Sequence, residues 1–216
     1  MDNPAQHSLL AREGWAHIAI AMVFALAVQL LFGTVIAAPF WIILVFVLQF
    51  FRDPSRAIPQ DETTIVSPAD GKVIFLGKSK DPYLNRSALK LSVFMNVFSV
   101  HSNRSPVSGT VMDRWYNAGK FFNAALDKAS EHNERNAFWV KTRNGSDVVF
   151  IQVAGLIARR ILSYVDKGDH IDRGQRYGFI RFGSRVDIYL PENVQLNVKL
   201  GDWVSAGSDI IAFLNE

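Results

Sequence analysis

Between Glu13 and Arg52 the chain runs for 38 residues without a formal charge. Within that block only Gly14, His17, Gln29, Gly33, Thr34, Pro39 and Gln49 are not aliphatic, aromatic or methionine. A run this long and this apolar reads as a membrane segment rather than as an element of a soluble core. One straight helix at ~1.5 Å per residue would extend roughly 57 Å, nearly twice the ~30 Å hydrocarbon core of a bilayer. Gly33 and Thr34 lie at the midpoint and Pro39 soon after. The spacing therefore predicts two short passes, about Trp15 to Phe32 and Val35 to Phe51, joined by a tight turn. Arg12 precedes the first pass, and Arg52 and Arg56 follow the second. A hairpin with both ends in the cytoplasm puts all three on the positive side. That assigns the chain to the cell (inner) membrane, with residues 1–51 as the hairpin and everything after them on the cytoplasmic side. The competing reading is a cleaved signal sequence ending at Ala37 and Ala38. The apolar run is far longer than a signal core and continues past those alanines.

The remaining residues, 52–216, suffice for one domain with a real core. With no cysteine anywhere, disulfide scaffolds and thiol nucleophiles are excluded. A net charge of +3 is a mild bias that would draw a domain beside a bilayer toward anionic lipid. No basic run with interleaved aromatics points to nucleic acid. Pro54, Pro59 and Pro68 punctuate an extended linker of about 20 residues from Arg52. Strand-like runs follow at Lys72–Leu76, Leu89–Val97, Gly109–Trp115, Ala137–Thr142, Asp147–Ala154, Tyr177–Phe182, Arg185–Leu190 and Asp209–Leu214, rich in Val, Ile and Phe and bounded by Gly, Pro, Asn or Ser. Asn123–Glu134 is polar and lacks the apolar stripe of a core helix. KGDHIDRG (167–174) and LGDWVSAG (200–207) share Gly-Asp-x-(Ile/Val)-x-x-Gly and each precedes an apolar strand. The expected fold is mainly β, a flattened barrel or sandwich with a lipoyl-like barrel pattern, carrying an N-terminal α-helical membrane hairpin.

Three segments are candidates for chemistry. SPADGKV places Asp70 before Gly71 at the mouth of a strand. FMNVFSVHSNRSPVSG ends an apolar strand at His101, with Pro106 and Gly109 fixing the next turn. IRFGSRVDIYLP sets Gly183 and Ser184 between two strands. Each also has an ordinary reading, as a turn pair, a hydrogen-bonded histidine and a bend. A serine hydrolase using Ser184, His101 and Asp70 and a membrane-tethered β-barrel adaptor or carrier without catalysis both remain open on these residues alone.

Taken in order, FFRDPSR after a membrane segment, SPADGKV, VHSNRSPVSG, GKFFNAALDKASEHNERN and FGSRVDIYLP resemble the short, pyruvoyl-dependent phosphatidylserine decarboxylases of bacteria and archaea. The resemblance covers the chain from about Phe50 to its end. It implies a proenzyme that cuts itself between Gly183 and Ser184 into a β chain (1–183) and an α chain (184–216), with Ser184 converted into a pyruvoyl group. That covalent cofactor would form a Schiff base with the serine amine of phosphatidylserine and release CO2, leaving phosphatidylethanolamine in the bilayer. His101 is then the acid that quenches the carbanion, and Asp70 matches a residue of the self-cleavage set. Longer members of the family usually carry Gly-Ser-Thr and a second histidine where this chain has Arg185 and Arg104, so the self-cleavage set of Asp, second His and Ser does not transfer whole. These arginines are expected to contact the lipid phosphate or carboxylate, or else to be solvated cations. Lys120, Asn133, Glu134 and Arg135 fall where the family places its substrate, with no catalytic role assigned. His132 and His170 read as surface residues, Arg159 and Arg160 as cations that face lipid head groups or are only solvated, and the histidine spacing implies no metal. A homodimer is compatible with this family.

Overall fold

The computed structural model describes residues 8–125, 132–155, 160–181 and 183–215. The chain divides into two compact units, one up to Ser55 and the other from Arg56.

The first unit is a pair of apolar helices, α1 (Trp15–Phe32) and α2 (Thr34–Phe50). Gly33 alone joins them, at φ +82°, a conformation open to glycine at little cost. Arg12–Phe32 is long and apolar enough to cross a bilayer, whereas α2 is shorter. Ala25, Ala37 and Leu44 are buried, while Leu30 and Val35 are more than four-fifths exposed. Most of the bulky apolar side chains thus face outward, the reverse of a water-soluble helix pair, while the small Ala25 and Ala37 let the two backbones approach. Trp41 donates its indole N–H to Gln29 Oε1 (2.9 Å), and Gln29 donates to Thr34 Oγ1 (3.2 Å), so the polar groups near the turn satisfy one another. Pro39 lies inside α2, within the second pass expected from the sequence. At the other end of the pair Ala11 N–H bonds Phe51 O and Asp53 N–H bonds Leu9 O, so the entering and leaving chains run side by side.

The second unit is mainly β. β1 (Thr64–Val66), β14 (Ile210–Phe213) and β12 (Gln195–Leu196) form one small sheet, and β4 (Ser102–Arg104), β10 (Arg176–Ile180) and β8 (Ile161–Ser163) another. The large sheet is a curled half-barrel. Its order is β13 (Trp203–Val204), β2 (Gly71–Asp81), β3 (Arg86–Met95), β11 (Ser184–Leu190), β7 (Asp147–Val153), β6 (Arg135–Lys141), β5 (Gly109–Asn117) and β9 (His170–Ile171). The apolar runs read from the sequence are the long strands of this sheet together with β10 and β14. The two- and three-residue strands, too short for a period-2 pattern, were not anticipated. Ile65 and Val66 of β1 are fully buried, so the segment read as a linker enters the core before it ends. The central core packs Leu91, Val93, Phe138, Phe150, Tyr177, Val186 and Ile188. Within it Tyr177 makes edge contacts with Phe138 (5.2 Å between centroids) and Phe150 (4.7 Å).

The Gly-Asp repeat is half of a larger internal symmetry. Its two copies form β9 and β13, the opposite edge strands of the large sheet. Each edge strand pairs with a strand introduced by Ser-Pro-x-x-Gly, namely 67–71 and 105–109. The bonds are reciprocal. Ser67 Oγ donates to Ala69 O and Ser105 Oγ to Val107 O, both at 2.7 Å. Val66 N–H bonds Pro106 O and Arg104 N–H bonds Pro68 O, both at 3.0 Å. Ala206 N–H bonds Asp70 Oδ1 just as Arg173 N–H bonds Ser108 Oγ. Two similar half-domains therefore share one core.

Candidate active site

Ser184 opens β11 and pairs with Met95, the last residue of β3. Strand alternation puts Ser184 on the face that carries Val186, Ile188 and Leu190 into the core, and puts Arg185, Asp187 and Tyr189 on the other. The serine is fully buried, and among the described residues its Oγ has no hydrogen-bond partner. Leaving a buried hydroxyl unsatisfied costs about 1–3 kcal/mol, so this group is held ready rather than tied down. Gly183 before it sits at φ +60° with open space where a side chain would begin. On its carbonyl side the chain is tight. A Cβ on Gly155 would lie 1.8 Å from Gly183 O. An unsolvated hydroxyl next to the peptide carbonyl of a positive-φ glycine, which carries no side chain to shield it, is an arrangement suited to acyl transfer within the chain. The orphaned Ser184 Oγ and the two-glycine cradle also fit a small ketone built from Ser184 itself.

His101 reaches this region from two directions. The five residues before it lead from Met95, which pairs with Ser184, and its carbonyl accepts from Ile180 N–H (3.3 Å) at the end of β10, three residues before Gly183. The imidazole is fully buried, 6.3 Å from the Phe179 ring centroid, and its Nδ1 is 2.9 Å from Ser99 O. A carbonyl can only accept, so Nδ1 carries the hydrogen, and Nε2 is the nitrogen that can take up and return a proton.

A chain of buried amides starts from Met95, the strand partner of Ser184. Asn103 Nδ2 contacts Met95 Sδ at 3.7 Å, and Gln152 Nε2 donates to Asn103 Oδ1 at 2.8 Å. Asn136 Nδ2 donates to Gln152 Oε1 at 3.2 Å, and Arg114 Nε to Asn136 Oδ1 at 3.0 Å. Sequence reasoning missed Asn103, Asn136 and Gln152. Gln152 carried a signal, a single polar residue inside the apolar run VVFIQV where a partner must be found, whereas Asn103 and Asn136 sit among other polar residues and carried none. Asn133 and Glu134 were assigned no role, yet both are buried. Asn133 Nδ2 donates to Phe122 O and Ala154 O, both at 2.7 Å, while its Oδ1 accepts from Phe122 N–H. Residues 126–131, the middle of the polar stretch, and Arg159 lie outside the described residues. His132, Arg160 and His170 are exposed.

The charged candidates lie close by but are engaged. Asp70 precedes β2, and the row Gly71, Met95, Ser184 crosses three adjacent strands, a span of about 10 Å at ~4.8 Å per strand. Asp70 Oδ1 accepts from Ala206 N–H and Oδ2 from Arg56 Nη2, each at 2.6 Å. Arg104 is buried, donates Nη1 to Gly174 O at 3.2 Å, and passes 2.8 Å from the point where a Cβ on Gly207 would sit. Arg185 is also buried. Its Nε is 2.7 Å from Asp187 Oδ1, its Nη2 donates to Oδ2 at 3.2 Å, and its Nη1 donates to Ala124 O at 2.8 Å. Lys90 Nζ adds a second cation 3.2 Å from Asp187 Oδ2. Burial pushes the Asp187 carboxyl upward, but Arg185 and Lys90 outweigh it and hold the group below its ordinary value. Neither Arg104 nor Arg185 is a solvated surface cation.

The family model described as phosphatidylserine decarboxylase matches residues 43–212. Among curated relatives, the phosphatidylserine decarboxylase proenzyme of Aromatoleum aromaticum is 60% identical over 214 residues, 99% of this chain and 100% of its own length. The proenzyme of the same name from Nitrosomonas eutropha is 56% identical over 206 residues, 95% of each chain. That of Burkholderia pseudomallei is 56% identical over 210 residues, 97% of each chain.

Proposed function

The chain belongs to the phosphatidylserine decarboxylase family, and from that premise we propose that it converts phosphatidylserine to phosphatidylethanolamine with a pyruvoyl group made by cutting its own Gly183–Ser184 bond. The observation that carries this reading is the buried, unpartnered Ser184 hydroxyl beside the carbonyl of a positive-φ glycine.

The Ser184 hydroxyl gives its proton to a base and Oγ attacks the Gly183 carbonyl carbon. The C–N bond breaks as the amine takes up a proton, leaving an ester. Loss of the Ser184 Cα proton then expels Gly183 as a carboxylate and leaves dehydroalanine. Water replaces the nitrogen, ammonia departs, and the α chain begins with a ketone. With Nδ1–H donated to Ser99, His101 Nε2 is the base available for the first proton and the acid for a later one. Once formed, the pyruvoyl carbonyl supplies an electron sink for the pair released with CO2. His101 then returns a proton to the carbon that lost CO2. Asp70, Arg104 and Arg185 hold the walls of this site. Asp70 closes the turn before β2, Arg104 fills the junction of the half-domains, and Arg185 fixes the residue after the cut. The helix pair keeps the chain in the bilayer that holds its substrate. Both ends of the pair face the cytoplasm, as Arg12, Arg52 and Arg56 favour.

Mass analysis of the purified chain tests the reading. Two chains are expected, the shorter being 184–216 with a blocked, pyruvoyl-bearing N-terminus, and Ser184→Ala should stay a single inactive chain of 24.2 kDa. Decarboxylation by an uncut wild-type chain overturns it.

A further inference from the structure

We infer that Gly155 is a positioning residue for self-cleavage, holding the Gly183 carbonyl where Ser184 Oγ attacks it; this rests on the cleavage reading above. β7 ends at Val153, which pairs with Arg185, so Ala154 and Gly155 run directly beside the bond to be cut. A Cβ on Gly155 would lie 1.8 Å from the Gly183 carbonyl oxygen, 2.8 Å from its carbonyl carbon and 3.3 Å from the Ala124 Cβ. Two of those neighbours are backbone atoms and cannot swing aside. The Gly155 Cα–H therefore abuts the oxygen that becomes negatively charged during attack. Gly183 has open space on its own side, so Gly155 is the wall that sets its carbonyl direction.

That wall is fixed. Ala154 N–H bonds Glu134 O at 2.9 Å, and Ala154 O accepts from the buried Asn133 Nδ2 at 2.7 Å, so Gly155 cannot retreat from an added methyl. The opposite wall is pinned as well, because Arg185 Nη1 holds Ala124 O at 2.8 Å. An added methyl must therefore push the Gly183 carbonyl. A displacement on the order of 1 Å costs about 100-fold in an oriented intramolecular reaction.

The test is Gly155→Ala in the full chain, followed by mass analysis of cleavage over time beside wild type. Cleavage about 100-fold slower is expected. Hydroxylamine separates positioning from later steps, since it captures the ester as a hydroxamate on the 1–183 chain. Gly155→Ala should give almost none, because its block precedes the ester. Ser184→Ala chains with and without Gly155→Ala, compared by circular dichroism, report whether the fold survives. If Gly155→Ala does not fold, Ala124→Val crowds the same point from the other wall, and cleavage slowed about 10-fold or more is expected. Wild-type cleavage with unaltered cleavage in a folded Gly155→Ala, or in Ala124→Val where Gly155→Ala fails to fold, overturns this inference alone. Absence of cleavage in wild type overturns the reading beneath it.

Discussion

Replacing Asp187 by Asn changes almost no volume and removes one charge from the centre of the buried Arg185–Asp187–Lys90 cluster. The Asp187 side chain is 1% exposed, and its partners Arg185 and Lys90 are 2% and 14% exposed. Arg185 cannot leave, because its Nη1 is bonded to Ala124 O. Lys90, packed over the rings of Phe75 (5.4 Å) and Tyr189 (5.6 Å), lies nearer solvent and can shift its ammonium outward. The cost is therefore that of one stranded guanidinium, near the lower end of the ~3–5 kcal/mol for breaking a buried pair. At ~2–4 °C per kcal/mol for a domain of this size, Tm should fall by roughly 6–12 °C. The assay is thermal unfolding of detergent-solubilised full chain, with Ser184→Ala in both proteins so that cleavage does not intervene. Replacing the whole pair, Arg185→Met with Asp187→Leu, should cost less than Asp187→Asn alone, because no charge is then left buried and unmatched. The pH dependence has a definite sign. The folded pKa of Asp187 is depressed, so its stabilisation is complete above the unfolded value of 3.8 and fades as pH falls through the lower folded value. The wild-type and Asp187→Asn curves should converge in acid. A loss below about 1 kcal/mol near neutral pH, the range of a surface pair, or a gap that persists in acid refutes this account.

Tyr177 is fully buried, with its hydroxyl unpartnered among the described residues. Tyr177→Phe should therefore leave the urea midpoint unchanged or raise stability by about 1 kcal/mol, and a clear loss would reveal a bond to that hydroxyl. Gln152→Leu strands the amides of Asn103 and Asn136 and should cost about 2–4 kcal/mol by chemical denaturation, as two buried polar groups lose a partner. Asp70→Ser places at one turn the residue that its symmetric twin already uses. It should keep the fold and continue to cleave, losing about 1.5–3 kcal/mol as the largely buried Arg56 gives up its bond to a carboxylate. Complete loss of cleavage in a folded Asp70→Ser would assign that carboxylate a direct part in proton transfer.

The helix pair and the long strands were legible because their signals are local. A charge-free block interrupted by Gly33 must fold back on itself, and alternating Val, Ile and Phe between turn residues must form half-buried strands. Part of the internal symmetry was readable too, in the Gly-Asp repeat. Its other half, Ser-Pro-x-x-Gly at 67–71 and 105–109, is equally present in the sequence but has no evident meaning until the bonds are seen to be reciprocal. That symmetry bears on Asp70, whose bond to Ala206 N–H is matched by Ser108 with Arg173 N–H, a turn closure used in both halves.

By itself the sequence determined the fold class, the apolar helix pair and the motif set that marks the family. Tertiary structure alone decided what surrounds Gly183 and Ser184. Gly155 comes beside Gly183 from another strand end, and Asn133 fixes the carbonyl of Ala154 next to it, and nothing near either in sequence foretells the meeting. The arginines were ambiguous for the same reason. Burial is a property of neighbours brought from elsewhere in the chain, and burial makes Arg185 one member of an ion pair rather than a cation in water. Periodicity and turn chemistry act over a few residues, whereas the environment of a buried group is set by contacts that exist only after the sheet has curled and closed on its core.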